Sequence, residues 1–252
     1  DKYSAKTLIC EKTGEEIIDQ MRKLGFLSKE GINDRISLTN LEAAKLSFYR
    51  NNISHLLIFE SLICGFFQYQ KEIVKEDLLQ SIKMIYPFLK EEFFLKWDET
   101  DLDQLINLKL NKLINKNLIL EDSNVYKRPD FKSREFYETQ SLGKLVQPSI
   151  DRFYVLISQL WKNSAEHISK NELERNSLEI LKNLEKTQAR LTPEFSEKWM
   201  FDVFLSRLIE NKYVREDDKG MLYPTRITQR LEKDANKFLE PNWLKELSKS
   251  TP

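Results

Sequence analysis

The stretch Leu46–Phe67 changes character at its middle. Its first part sets Arg50, Asn51, Asn52, Ser54 and His55 among apolar residues, and from Leu56 to Phe67 it is apolar almost all round. A helix that is hydrophobic on every face belongs inside a domain or in a membrane. His55 and Glu60 keep the uninterrupted apolar run below the roughly 18–20 residues that a bilayer requires. The pattern therefore predicts a central, buried helix. It opens at the capping box Thr39-Asn40-Leu41-Glu42 and runs to about Tyr69. The polar cluster of its first half then needs partners, because an unpaired buried polar group costs about 1–3 kcal/mol.

The same periodicity places the other elements. Residues 1–13 are polar and read as a strap or a frayed helix. Ile17, Ile18, Met21 and Leu24 keep helical spacing, with Gly25 as a C-cap. Phe26-Leu27 and Arg35–Leu38 flank Lys29-Glu30-Gly31 as a short hairpin. Ile73, Val74, Leu78, Leu79, Ile82 and Ile85 form the stripe of an amphipathic helix over 71–85. Pro87 is expected to end it and to start a short aromatic helix over 88–97. Asp98 is the expected cap of the next helix, which runs through Leu102, Leu105, Ile106, Leu110 and Leu113 to Asn117. Leu118–Leu120, a turn at 121–124 and Val125-Tyr126 make a second hairpin. The polar stretch Pro129–Arg134 is the expected internal boundary, giving subdomains 1–128 and 129–252. Beyond it, Glu135–Val146 is helical and Pro148 is expected to break or kink it. Ile150, Phe153, Tyr154, Ile157, Leu160 and Trp161 continue the stripe. Ser169 and Glu172 form a capping box for a helix to about Lys186. Thr192-Pro193-Glu194 caps another, carrying Trp199, Val203, Phe204 and Leu208. Tyr213–Arg215, a charged turn and Met221–Tyr223 make a third hairpin, followed by helices 225–238 and 241–247.

A helix followed by a hairpin thus recurs, ending near Leu38, Tyr126 and Tyr223. The expected fold is mainly α, a multi-helix bundle around a central buried helix, with short winged-helix-like hairpins. The 6 Gly and 7 Pro in 252 residues fit a helical chain. Lys plus Arg and Asp plus Glu are 40 each, which argues against a nucleic-acid binder relying on bulk charge. No helix reads as presenting an Arg/Lys row beside Asn or Gln for a groove. Cys10 and Cys64 lie far apart, without metal spacing, and Cys64 reads as a buried free thiol. No secretory or transit pattern opens the chain, which starts like a segment cut from a longer one.

Candidate chemistry is sparse. His55 precedes Glu60 by five positions and His167 precedes Glu172 by five. Both imitate a His-x-x-x-x-Asp arrangement, in which an acid holds an imidazole as general base. The acid here is Glu, positions five apart on a helix do not share a face well, and Glu172 has a capping role. Structural roles are expected for both histidines. No Ser/His/Asp set, phosphate loop or metal cluster appears, so no cofactor is expected. Arg50 with Asn51 reads as a buried hydrogen-bond hub, with Arg50 satisfying carbonyls or pairing with a carboxylate such as Glu91 or Glu92. The alternative is a contact to another domain or to an anionic ligand.

Those residues carry a resemblance. Tyr49-Arg50-Asn51-Asn52-Ile53-Ser54-His55 resembles the Tyr-Arg-Asn-Asn-x-x-His segment of the bacterial glycerol-3-phosphate acyltransferases, large membrane-associated enzymes of phospholipid synthesis. Tyr86-Pro87-Phe88-Leu89-Lys90-Glu91-Glu92-Phe93-Phe94-Leu95-Lys96-Trp97 is similar to the family's Tyr-Pro-x-Leu-Lys-x-Glu-Leu-Phe-Leu-Arg-Trp. Pro193-Glu194-Phe195 with Tyr213-Val214 resembles a third segment. The resemblance runs from about Gly14 to Val214 and is to the family's C-terminal region. The family's catalytic blocks, His-x-x-x-x-Asp, Gly-x-x-Phe-Ile-Arg-Arg and Phe-x-Glu-Gly-x-Arg, have no counterpart here, so no catalytic residue is carried over.

The resemblance implies a parent enzyme moving an acyl group from acyl-CoA or acyl carrier protein to the sn-1 hydroxyl of glycerol 3-phosphate. It would act peripherally at the cytoplasmic face of the inner membrane. This chain would be its non-catalytic, supporting C-terminal domain, inactive and soluble alone, with the upstream acyltransferase domain as partner. Tyr49, Arg50, Asn51, Asn52, His55, Tyr86, Pro87, Lys90, Glu92 and Trp97 would then be structural or interdomain residues. The alternative is a free-standing winged-helix-like interaction module without enzymatic activity. A membrane-surface module is disfavoured by the mixed charge.

Overall fold

Thr13 opens the first helix, α1 (Gly14–Lys23), by a reciprocal capping box with Glu16. The helix stops where Gly25 takes φ +74° and the Phe26 N–H reaches the Met21 carbonyl at 2.9 Å. Thr39 and Glu42 make the same reciprocal pair at the start of α2 (Asn40–Phe66), as the sequence predicts. This computed structural model describes residues 12–27, 38–164, 167–188 and 198–249, and leaves some side chains within them undescribed, those of residues 43–45, 47–53, 184–188 and 198–200 among them. The expected hairpin around Lys29-Glu30-Gly31, most of the N-terminal strap and the cap at Thr192 lie outside those residues. The chain forms two compact units, residues 1–57 and 58–252. The stretch 129–134 lies inside the second.

The second unit carries two winged-helix orders in succession. After α2 come β1 (Glu72–Val74), α3 (Lys75–Glu92), a 3-10 turn at Glu99–Asp101, α4 (Leu102–Asn115), β2 (Leu120–Asp122) and β3 (Val125–Lys127). The sheet order is β1-β3-β2, all antiparallel, with Ile73 opposite Tyr126. The order then repeats with α5 (Arg134–Lys162), β4 (Ile168–Ser169), α6 (Lys170–Gln188), α7 (Lys198–Glu210), β5 (Val214–Glu216) and β6 (Met221–Pro224), in the sheet order β4-β6-β5. Helices α8 (Arg226–Phe238) and α9 (Pro241–Lys249) follow. Among the described residues the chain is mainly α, with nine α-helices and two three-stranded sheets.

The second and third hairpins read from the sequence, the two within the described residues, are each two-thirds of a sheet. The missing strands, β1 and β4, are three and two residues long and sit directly before helices. Ile73 therefore reads as part of the helical stripe of 71–85, and Ile168 is a single apolar residue before a capping box. Two prolines also behave differently from the expectation. Pro87 lies inside α3, which runs on to Glu92, and Pro148 lies inside α5, which continues to Lys162 without a break. Each removes the N–H that would serve the carbonyl four residues earlier, at Lys83 and Lys144. Pro87 is itself buried, with Tyr86 and Phe88 buried on either side of it, and Val146, Gln147, Ser149 and Ile150 are buried around Pro148. Packing thus outweighs the roughly 3 kcal/mol penalty of an internal proline. The separate helix expected over 88–97 does not form. Asp98 makes no side-chain cap, because its carboxylate accepts from Lys90 instead.

One aromatic cluster ties the two winged-helix orders together. Phe88 of α3 packs on Phe153 of α5 at 4.7 Å between ring centroids and edge-on to Phe204 of α7 at 5.6 Å. Phe66 of α2 meets Phe238 of α8 at 4.3 Å. Residues Ile58 to Gln68 are all buried, so the second half of α2 is the interior helix that its composition predicts. Cys64 is a buried free thiol, and burial pushes its pKa far above the ordinary value.

Candidate functional site

The second motif segment folds into a latch. At the end of α3 the Phe94 N–H reaches back toward the Glu91 carbonyl at 3.5 Å, and the Leu95 N–H bonds the Lys90 carbonyl at 2.9 Å. This reverses the chain so that residues 95–98 run back along the helix. The Tyr86 hydroxyl then donates to the Trp97 carbonyl at 2.7 Å. Phe59 of α2 lies between the two rings, 5.2 Å from Tyr86 and 5.4 Å edge-on from Trp97. Lys90 closes the far side on Asp98 at 2.8 Å, and this bond lowers the Asp98 carboxyl below its usual range. Burial raises the Tyr86 phenol well above its ordinary value, so it serves as a hydrogen-bond donor at neutral pH.

Glu92 points the other way, toward α5. Its carboxylate accepts from Ser149 Oγ at 2.7 Å and pairs with Arg152, both side chains being nearly out of water. Its neighbour Glu91 pairs with Arg207 of α7, which also reaches Glu210 at 2.7 Å. Phe88 stands 6.1 Å from Tyr213, so the second and third resemblance segments meet in the core. The structure thus brings Tyr86, Pro87, Lys90, Glu92 and Trp97 together. The Tyr86 hydroxyl, the Lys90 ammonium and the Glu92 carboxylate are each engaged by a protein group, and the set pins α3 to α2, α5 and the loop before α4.

The first motif segment lies on α2. The side chains of Tyr49, Arg50, Asn51 and Asn52 lie outside the described residues. His55 is exposed, so it requires no buried partner of the kind that reading the whole helix as interior would demand. Glu60, the acid five positions on, is buried and accepts from Lys109 at 2.8 Å and Lys112 at 3.2 Å. His167, at φ +61°, stacks on Tyr223 at 4.2 Å, and Glu172 caps α6 through Ser169. Neither histidine is arranged as a base held by its expected acid.

One feature contradicts the sequence reading. Helix α8 does expose a basic row, Arg226, Arg230, Lys233 and Lys237, with Gln229 beside it. Helical spacing carried the signal, but the intervening Glu232 and Asp234 obscured it. Arg230, Lys233 and Lys237 line a groove of about 180 Å³ with Asp77, Ser81 and Asp234. Arg230 bonds Gln80 and Lys237 pairs with Asp234 at 3.2 Å, so part of this charge is already engaged.

Among the described residues no helix is long and apolar enough to cross a membrane. The profile of the family described as "Glycerol-3-phosphate acyltransferase C-terminal region" matches residues 2–217. Proteins named glycerol-3-phosphate acyltransferase align along most of the chain. The one from Pseudomonas savastanoi pv. phaseolicola is 28% identical over 222 residues, which is 87% of this chain and 27% of that protein. That from Ectopseudomonas mendocina is 28% identical over 241 residues, 95% of this chain and 29% of its own length. That from Pseudomonas fluorescens strain SBW25 is 29% identical over 222 residues, 87% and 26%. The chain therefore spans little more than a quarter of the length of the curated relatives it matches. The chain belongs to the glycerol-3-phosphate acyltransferase C-terminal region family.

Proposed function

We propose that this chain is the supporting, non-catalytic C-terminal part of a glycerol-3-phosphate 1-O-acyltransferase. In that reaction the sn-1 hydroxyl oxygen of glycerol 3-phosphate attacks the thioester carbonyl of acyl-CoA or acyl carrier protein. An ester forms, the thioester bond breaks, and the hydroxyl proton passes to the departing thiol. The chemistry belongs to the upstream part of the polypeptide, and the whole enzyme works peripherally at the cytoplasmic face of the inner membrane. The observation that carries this reading is the latch. The residues that match the family's longest segment, Tyr86, Lys90, Glu92 and Trp97, are spent on holding α3 in place. Such residues support a scaffold that must present a fixed surface to something else.

Acyl transfer from acyl-CoA and from acyl carrier protein to glycerol 3-phosphate tests this on the purified chain and on the full-length protein. The full-length protein is expected to turn over and the chain alone is not; robust turnover by the chain would sink the proposal. The two winged-helix orders favour a second reading, a separate interaction module. An antibody to this chain separates the two. A band far above 30.0 kDa in the membrane fraction supports the first, and a soluble band near 30.0 kDa supports the second.

A further inference from the structure

Four helices in the described residues end in the same reversal, in which the residue after the cap turns left-handed and the next N–H bonds back to the carbonyl five residues earlier. At the end of α1 the left-handed residue is Gly25, for which that conformation costs nothing. At the end of α4 it is Asn117, the next most tolerant choice. At the end of α7 it is Lys212, a cation where the helix dipole favours one. At the end of α3 it is Phe94, at φ +51°. A bulky aromatic has none of these advantages, since its Cβ crowds the following carbonyl. Nor does burial compensate, because Phe94 is 87% exposed while Leu95 beside it is 6% exposed. Both the backbone conformation and the solvation of the ring favour another residue here.

We propose that Phe94 is a docking anchor for the upstream part of the same polypeptide, which buries its ring in an apolar recess. This rests on the reading of the chain as the C-terminal part of a longer acyltransferase. The length of the relatives argues for that occupant, since about seven-tenths of each lies beyond the matched region. So does the position of Phe94 inside the latch, whose flanking residues Glu92 and Trp97 are fixed to α5 and α2. A rigid loop that presents one aromatic ring loses little entropy on binding, and large buried aromatics are frequent anchors of interfaces.

The test uses Phe94→Gly and Phe94→Leu in this chain and in the full-length protein. In the chain alone Phe94→Gly should raise the melting temperature by about 2–4 °C, because it relieves the strain and loses almost no packing. In the full-length protein the amides of 93–97 should exchange at least ten-fold more slowly than in the chain alone. Phe94→Gly should abolish that protection, and Phe94→Leu, which keeps an apolar group, should retain most of it. Equal exchange in the two proteins would overturn the proposal. So would protection that appears only with anionic vesicles, or only at concentrations where the chain self-associates. The exchange readout is independent of turnover. A full-length protein that protects Phe94 but transfers no acyl group would therefore fail the proposed function and leave the docking intact.

Discussion

Replacing Gly143 with alanine sets two effects against each other. Gly143 lies in the interior of α5, where alanine is intrinsically better than glycine by about 1 kcal/mol. An added Cβ, however, would lie 2.8 Å from the Cys64 carbonyl oxygen and 2.9 Å from its carbon, both backbone atoms of α2. It would also lie 2.2 Å from Gln68 Nε2. That amide donates to the Gln140 carbonyl at 3.1 Å, and Gln140 donates in return to the Phe67 carbonyl at 3.2 Å. The two helices are thus clasped at the point of contact and cannot separate without losing those bonds. Overpacking against fixed backbone costs about 1–3 kcal/mol or more, and the lost clasp adds about 1 kcal/mol. The net expectation is a destabilisation of about 2 kcal/mol, or about 4–8 °C in melting temperature. Gly65 is the internal comparison. A Cβ there meets the side-chain methyls of Ile150 and Val146, each at 3.1 Å, which can give way, and the Gly143 carbonyl oxygen at 3.7 Å, an ordinary contact. Gly65→Ala should therefore be close to neutral. Urea unfolding followed by tryptophan fluorescence reads both, since all four tryptophans lie beyond residue 57. A Gly143→Ala protein as stable as the original would refute this account of the α2–α5 contact.

Other perturbations test the buried polar groups. Lys109→Met should cost about 2–4 kcal/mol in urea unfolding, because it strips Glu60 of its most buried partner and leaves only the partly exposed Lys112. Replacing Glu60 and Lys109 together by methionine should recover most of that loss. Tyr86→Phe should cost about 1–2 kcal/mol by leaving the Trp97 carbonyl without its donor, measured as a lower melting temperature at pH 7. The alkaline limb of stability should also be steep. Burial holds the Tyr154 and Tyr86 phenols above their ordinary value near 10, so the unfolded chain releases those protons first. Their contribution is full below about pH 10 and declines as pH rises toward the folded values, by roughly 1 kcal/mol or more per pH unit for Tyr154. A stability flat between pH 9.5 and 11 would contradict it.

The sequence made the helices readable wherever an apolar stripe was long and a cap was local. Thr39 with Glu42 and Ser169 with Glu172 are both seen as reciprocal pairs. Short elements with non-local partners were unreadable. Strands β1 and β4 exist only because β3 and β6 lie beside them, and nothing within three residues signals that pairing. Local chemistry makes Pro87 a helix end and allows a break at Pro148, whereas tertiary packing carries α3 and α5 through both. In the motif segment, residue identity carried the family but not the geometry. The bonds from Tyr86 to the Trp97 carbonyl and from Glu92 to Arg152 join positions that only the fold makes neighbours. Phe94 was visible as an aromatic among aromatics; its left-handed backbone and its exposure were not.

The most direct test of the central claim is an add-back assay of acyl transfer to glycerol 3-phosphate. The upstream part of the polypeptide, this chain, and the two together are each supplied with acyl-CoA. The account predicts no turnover by this chain, little by the upstream part, and at least a ten-fold gain when they are combined. Turnover by this chain alone, or an upstream part fully active without it, would contradict a supporting role.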